Sequence, residues 1–296
     1  MSWSPFPPLT ASPSPSCTVK RLFLCRHGQT AANATGVLQG SGIDQSLNGE
    51  GVAQAERLRD RLADVPCDLI ISSKLKRARQ TAQLVYQKHS DVPFLEVGEL
   101  AEISWGDWEG TQNSGLRQLW ASWEAGDFTA KVPGGESPLE VEKRAVEALY
   151  KLMERPESNM IIVVHGRLLR IMMASIFYHS LVRMNEFEHH NTCINVIDVI
   201  IDTNHAKRGD PSIADSANGA ATAAPRANWA PSGKNAFDDN VSQAPTTLAE
   251  AAQASERRNE AGNTEEHLVT AVTHPRHLTF VPVVLDSIDH LSECHR

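Results

Sequence analysis

Cysteine is scarce in this chain and basic charge is in deficit, and each shortage narrows what the protein can be. The five cysteines, Cys17, Cys25, Cys67, Cys193 and Cys294, are odd in number and scattered without metal-ligand spacing. Neither a disulfide framework nor a zinc site is expected from them, and a reducing, cytoplasmic setting is. The formal net charge of −8 argues against a nucleic-acid partner, because a polyanion binder carries a basic excess that displaces counterions from phosphates. Long hydrophobic runs are missing too. MIIVV at 160–164 is among the longest, far too short to cross a bilayer, so no membrane span is expected. The opening MSWSPFPPLTASPSPSC has neither a basic residue nor a continuous apolar segment, and so fits neither a secretory signal nor an arginine-rich transit peptide. Residues 1–18 read as a disordered Pro/Ser-rich tail. No internal repeat is visible.

What is present suffices for a sizeable core: 41% of 296 residues are hydrophobic. From Thr18 to Asp202, short apolar runs alternate with helical periodicity, the rhythm of an α/β domain. VKRLFLC, DLIIS and MIIVVH read as strands apolar enough to be buried on both faces of a parallel sheet. GVAQAERLRDRLADV repeats its apolar positions at Val52, Ala55, Leu58 and Leu62, which is helical spacing. Ser137, Pro138 and Glu140 form a capping box with proline at the first helical position, and Val141, Ala145, Leu149 and Leu152 follow on one face. Residues 203–265 change character, being rich in Ala, Ser, Asn, Asp, Gly and Pro. They read as a disordered insertion between the strand INVIDVII and a last strand within 277–291.

Ligands of an open parallel sheet sit outside the carboxyl ends of its strands. The residues found there are Arg26 and His27, then Ser72, Ser73 and Arg77, then His165 and Gly166. Two arginines and two histidines converging on one edge call for an anion, and a phosphoryl group suits the planar guanidinium fork. Asn33 can add a neutral donor, and free N–H groups after Gly28 would add to the cradle. A histidine can take a phosphoryl group covalently and pass it to water, provided one ring nitrogen is unprotonated and the other is held, as by a backbone carbonyl. The leaving alkoxide needs a proton. A carboxyl beside bound phosphate can supply it, and Glu99, Glu102, Asp107 and Glu109 crowd together in GELAEISWGDWEG.

RHGQTAAN at 26–33 resembles the Arg-His-Gly-x-Thr-x-x-Asn signature of the histidine phosphatase superfamily, also called phosphoglycerate mutase-like. LQGSGIDQSLNGEGVAQA, SSKLKRARQTA, ELAEISWGDWEG, PGGES, VVHG and NTCINVID resemble its later segments in the right order. The resemblance implies a three-layer α/β/α sandwich with a mostly parallel central sheet and a small cap, spanning 19–202 and 277–296; the low-complexity insertion 203–276, read from composition, is not a general feature of that family. The resemblance also implies His27 as nucleophile, Glu102 as acid, and Arg26, Arg77 and His165 as phosphate partners. Asn33, Gln39, Gly40 and Gly166 complete the substrate site it implies. A small phosphorylated substrate is expected, with no cofactor and no metal.

This sequence also departs from the family pattern. Val37 and Leu38 stand before Gln39 where a basic residue is common, and the region from Glu102 to His165 is compact, as in the phosphatase branch. A phosphomonoester phosphatase is the reading, with a mutase or sugar bisphosphatase, or a catalytically silent scaffold, as alternatives. Arg167 and Arg170 read as helix-surface residues, Trp105 and Trp108 as packing for the acid-bearing loop, and Cys25 as a buried strand cysteine. His189 and His190 lack companion ligands nearby in sequence. The RGD at 208–210 and the sequon at Asn33 carry no assignment.

Overall fold

The apolar parts of β1 (Cys17–Arg26), β2 (Leu69–Ser73) and β4 (Asn159–Val164) alternate between two buried environments in the computed structural model. Leu22 and Leu24 join Leu69, Ile71 and Ile162 in one core, whereas Phe23 and Cys25 join Ile70, Ile161 and Val163 in another. Period-two alternation thus places one hydrophobic layer on each face of the sheet. The first is covered by α5 (Pro138–Met153) and α6 (Gly166–Tyr178), the second by α2 (Gly49–Arg61) and α3 (Lys76–Tyr86). The structure describes residues 3–112, 115–204 and 270–291.

Among the described residues, six strands form one sheet in the order β3-β2-β4-β1-β5-β6, with β3 at Phe94–Val97, β5 at Ile194–Asp202 and β6 at Leu278–Ser287. β1 to β4 run parallel; β5 is antiparallel to β1, and β6 to β5. The three-layer arrangement and mostly parallel sheet match expectation. β3 does not appear in the sequence reading, because FLEV is four residues long and only half-buried. Pro282 interrupts β6 beside a register irregularity, tolerable because β6 is the sheet edge. The capping box at Ser137 forms as expected. α2 differs in one respect: Ala55, Leu58 and Leu62 are buried, whereas Val52 is exposed.

Between β3 and α5 the chain makes two 3₁₀ turns, Gly98–Leu100 and Gly106–Trp108, and α4 (Leu116–Glu124) after the short α1 (Ala31–Thr35) earlier in the chain. Trp105, Trp123 and Phe128 pin this cap to the first core.

Both flanks differ from expectation. Residues 3–16 lack regular structure but are fastened to the sheet. Phe6 packs edge-on against Phe23 with ring centroids 5.5 Å apart, and the Arg61 guanidinium lies 3.6 Å over the Phe6 ring. Arg21 pairs across the β1–β5 register with Asp198, donating to both carboxylate oxygens at 2.7 and 2.8 Å, and its remaining donors reach the carbonyls of Pro7 and Pro8. Thr10 N–H donates to the same carboxylate at 2.7 Å. A buried guanidinium has five donors to satisfy, and two carbonyls of the proline-rich segment add to the Asp198 carboxylate in meeting them. At the other flank the chain is already packed on the fold at Thr270, ahead of the expected 277. Thr270 Oγ1 and Ala271 N–H donate to buried Glu142 at 2.6 Å each, and Val272 is buried. Most of the low-complexity insertion, residues 205–269, lies outside the described residues, as do the RGD and Cys294. No helix among the described residues is long and apolar enough to cross a membrane.

Burial pushes the Asp198 carboxyl up, but the bonds from Arg21 and Thr10 outweigh this and hold it below its usual range. Arg21→Ala strands that charge in the sheet, so urea denaturation is expected to show a loss of about 3–5 kcal/mol. A loss under about 1 kcal/mol would contradict the account of the N-terminal fastening.

Candidate active site

Strand register brings the two histidines together. β1 and β4 pair in parallel with Arg26 opposite Val164, so the next residue of each strand, His27 and His165, leaves the sheet beside the other. Their ring centroids are 5.2 Å apart, and both residues are buried. His27 Nδ1 lies 2.7 Å from the Gly28 carbonyl, which can only accept, so Nδ1 carries the proton and Nε2 keeps its lone pair. Arg77 Nε donates to that Nε2 at 3.2 Å. Burial, then the Arg77 and Arg26 guanidiniums, hold the His27 imidazole well below its ordinary pKa, against the pull of the Gly28 carbonyl. Burial likewise holds His165 well below, with Arg77, His27 and Arg26 acting in the same direction. Both rings are therefore neutral at neutral pH, and His27 presents an unprotonated nitrogen.

Each arginine is braced from behind. Arg77, 1% exposed on α3, donates through Nη2 to the Gly40 carbonyl at 2.7 Å and through Nη1 to the Ile43 carbonyl at 3.0 Å. Gly40 adopts φ +55°, and a Cβ there would collide with the Glu109 carboxylate, so only glycine serves. Arg26 Nη1 donates to the His189 carbonyl at 2.7 Å. Gly166 packs closely against the same guanidinium: a Cβ at 166 would lie 3.2 Å from Arg26 Nε. Four buried atoms in this cluster have no hydrogen-bond partner among the described residues: both ring nitrogens of His165, Nε of Arg26 and Oε1 of Gln39. Leaving a buried polar group unmet costs about 1–3 kcal/mol, and such groups collect where a ligand meets them. Arg26 Nε and the single N–H that a neutral His165 carries suit an anion, and Gln39 Oε1 suits a hydroxyl donor.

The four candidate acids separate clearly. Glu102 accepts from Leu168 N–H at 2.9 Å and Ile103 N–H at 3.0 Å through Oε1, and from Arg167 N–H at 3.2 Å through Oε2. It therefore caps the N-terminus of α6, the helix that starts after His165, where the helix dipole favours a carboxylate. Its charge acts on both Arg26 and Arg77. Glu109 instead ties Gly42 N–H and Trp105 N–H, bracing the loop around Gly40, while Glu99 and Asp107 are exposed.

Two expectations require correction. Most N–H groups from Gly28 onward are already taken and cannot cradle an anion: Gly28 N–H donates to Thr81, Gln29 to Gln54, Thr30 to Asn33, Ala32 to Gln45 and Asn33 to Thr30. Their role is to fix the turn that follows His27. Asn33 spends its Oδ1 in the α1 capping box, which leaves Nδ2 as the donor it can offer. His189 and His190 do have companions in space. Ligand atoms of His189, Cys193 and Asp286 lie within 4.8 Å of one another, as do those of Glu188, His190 and Asp286. Both Asp286 oxygens already bond His190, at its N–H and at Nδ1, 3.0 and 2.6 Å, so the cluster works as a brace. The turn it holds supports the catalytic edge: His189 O receives Arg26, Asn191 Nδ2 donates to the His27 carbonyl at 2.9 Å, and Thr192 N–H donates to the Arg26 carbonyl at 3.1 Å. Sequence spacing carries no signal for this, since Asp286 lies 96 residues from His190. Trp105 packs as expected, stacked on Trp123 at 6.2 Å, and Cys25 is buried with its thiol pushed up by desolvation. Arg167 reaches Asn185 at 2.8 Å.

Comparison with known proteins agrees with this geometry. The family model of the histidine phosphatase superfamily (branch 1) matches residues 22–208. Adenosylcobalamin/alpha-ribazole phosphatase of Salmonella typhimurium strain LT2 is 31% identical over 185 residues, which cover 60% of this chain and 90% of that protein. A probable phosphoglycerate mutase, GpmB, of Salmonella choleraesuis is 32% identical over 162 residues, covering 53% of this chain and 74% of the relative. A mycobacterial glucosyl-3-phosphoglycerate phosphatase solved with VO3 superposes with a TM-score of 0.55 at 27% identity, over 61% of this chain and 93% of that one.

The buried neutral histidines make stability depend on pH with a defined sign. His27, His165 and His189 all sit well below their unfolded value, and burial is the leading cause for each. Below about pH 6.5 the unfolded chain takes up protons that the folded protein refuses, so each such histidine removes about 1.4 kcal/mol per pH unit. His190, raised by its bond to Asp286, acts in the opposite sense, but its contribution is complete once the pH is below the unfolded value. Urea titrations at pH 7.5 and 5.5 should therefore show a clear loss at the lower pH; equal stability would contradict the neutral, buried histidines.

Proposed function

The chain belongs to the histidine phosphatase superfamily, branch 1, and on that premise we propose that it hydrolyses small phosphomonoesters through a phosphohistidine on His27. The observation that carries this reading is the tautomer: Gly28 holds the Nδ1 proton, so Nε2 keeps the lone pair, which accepts Arg77 Nε–H until a bound phosphoryl oxygen takes that donor. Phosphorus bound between Arg26, Arg77 and His165 would be attacked in line by that nitrogen. The N–P bond forms as the ester P–O bond breaks, and the proton of the Glu102 carboxyl goes to the departing oxygen. Water then attacks phosphorus, the N–P bond breaks, and the Glu102 carboxylate accepts the water proton. The two guanidiniums and the unpartnered donors of Arg26 and His165 stabilise charge on the equatorial oxygens, the electrostatic task that dominates phosphoryl transfer. Every role in this scheme is filled by a side chain of the protein, which supports a metal-independent reaction. Gly40 meets Arg77 and Gly166 meets Arg26, and together with Asn33 and Gln39 they are proposed to frame the substrate, Gln39 through its Oε1, unpartnered among the described residues.

The test is release of inorganic phosphate from a panel of phosphomonoesters in the presence of chelator. The native protein is expected to turn over at least one ester, and His27→Ala to lose kcat/KM by about 10³-fold or more, as removal of a covalent nucleophile does. Phosphate moving between the carbons of a phosphoglycerate without release would mark a mutase. Activity retained in His27→Ala would remove the proposed nucleophile.

A further inference from the structure

The loop that carries Glu102 is gripped from one side by a single arginine. Arg144, on α5, spends all five of its guanidinium N–H donors there. Nε and Nη2 form a fork onto the two oxygens of Glu136 at 2.7 and 2.8 Å. Nη1 donates to the carbonyls of Glu99 and Ala101 at 2.6 and 2.8 Å, and Nη2 also donates to the carbonyl of Glu102 itself at 3.1 Å. Glu136 extends the grip past the acid: its Oε2 accepts from Ser104 N–H at 2.9 Å, and its own N–H donates to the Ser104 carbonyl at 2.9 Å. The backbone is thus held at 99, 101, 102 and 104, on both sides of the Glu102 Cα. Within the loop itself the bonds are single ones: Ile103 N–H donates to Glu102 Oε1, and Trp105 N–H to Glu109, beside the two 3₁₀ turns.

We propose that the Arg144–Glu136 pair is a positioning device for the general acid, setting where the Glu102 carboxyl stands relative to the leaving-group oxygen. This rests on the phosphohistidine reading above. Only a guanidinium can serve: an ammonium has three donors in a different geometry and cannot hold a carboxylate fork and three carbonyls together. Neither Arg144 nor Glu136 hydrogen-bonds to the histidines; the Arg144 charge is only the last of the influences lowering His165, so the main effect on chemistry passes through Glu102. The clamp also explains why PGGES must precede α5, since Glu136 has to sit one residue before the Ser137 cap to face both Ser104 and Arg144.

Leaving-group dependence tests the proposal, because a displaced acid harms only departures that need a proton. Two esters are compared in the full-length protein: an alkyl phosphate the native enzyme turns over, whose alkoxide must be protonated, and 4-nitrophenyl phosphate, whose phenolate departs unaided. Arg144→Ala and Arg144→Lys are expected to lower kcat on the alkyl ester by about 10²-fold, the lower end of what general acid catalysis supplies, and on 4-nitrophenyl phosphate by less than about 5-fold. Placed in a Glu102→Gln background, Arg144→Ala should bring no further loss on the alkyl ester, since two residues acting through one group are not additive. Glu136→Gln, which keeps the size of the side chain, is expected to show the same selective loss and serves if the arginine variants do not fold. Equal loss on both esters, no loss on either, or a full additional loss in the Glu102→Gln background would overturn the positioning role while leaving the phosphatase reading intact. A native protein that hydrolyses neither ester nor any other would overturn the reading and this role with it.

Discussion

Two buried guanidiniums facing two imidazoles that stay neutral form the constraint on which the rest of the structure depends. Arg26 and Arg77 bring positive charge into a site from which water is largely excluded, and burial alone disfavours charge there. The protein answers by bracing each guanidinium on backbone carbonyls, Gly40 and Ile43 for Arg77 and His189 for Arg26. It leaves Arg26 Nε and the His165 ring without hydrogen-bond partners among the described residues. The same positive charge, added to desolvation, prevents His27 and His165 from protonating. Affinity for an anion and nucleophilicity of a histidine thus have one cause. A ring that took a proton at neutral pH would lose its lone pair, so in the proposed reaction the arginines both attract the phosphoryl group and keep the proposed nucleophile available.

That arrangement follows from topology. Parallel pairing of β1 and β4 in register sets His27 beside His165, and α3 returns Arg77 to the same edge from β2. α6 starts immediately after His165, so its exposed N–H groups are the anchor that Glu102 uses. Support comes from further away in the chain. The turn at 189–193 holds the backbone of Arg26 and His27, Asp286 of β6 holds that turn, and buried Glu142 receives the returning chain at Thr270 and Ala271. The strand after the long insertion therefore acts as a wall behind the catalytic edge.

Much of this was legible in the sequence. Branched apolar runs ending in Arg-His, Ser-Ser and His-Gly announce strands delivering polar chemistry to one edge, and Ser137-Pro138 with Glu140 announces α5. Glu102 was separable from its three acidic neighbours only by resemblance, because what distinguishes it is contact with a helix 64 residues or more downstream. Composition misled at the N-terminus, where Pro and Ser suggest disorder. Arg21 and Asp198 are unremarkable in sequence until strand pairing buries them together with a need for carbonyls that Pro7 and Pro8 meet. Arg144 looks like an ordinary helix-surface residue by periodicity; its five acceptors come from two loops that periodicity does not describe.

The account stands or falls on the atom that receives phosphorus. Rapid-quench trapping of the native protein during turnover, followed by peptide mapping, is the most direct measurement. The expected result is one phosphoryl group, labile to acid and stable to alkali, on the peptide containing His27, with the phosphorus on Nε2 because Gly28 occupies Nδ1. Steady-state phosphate release with no protein-bound phosphoryl group, or one found on another residue, would contradict it.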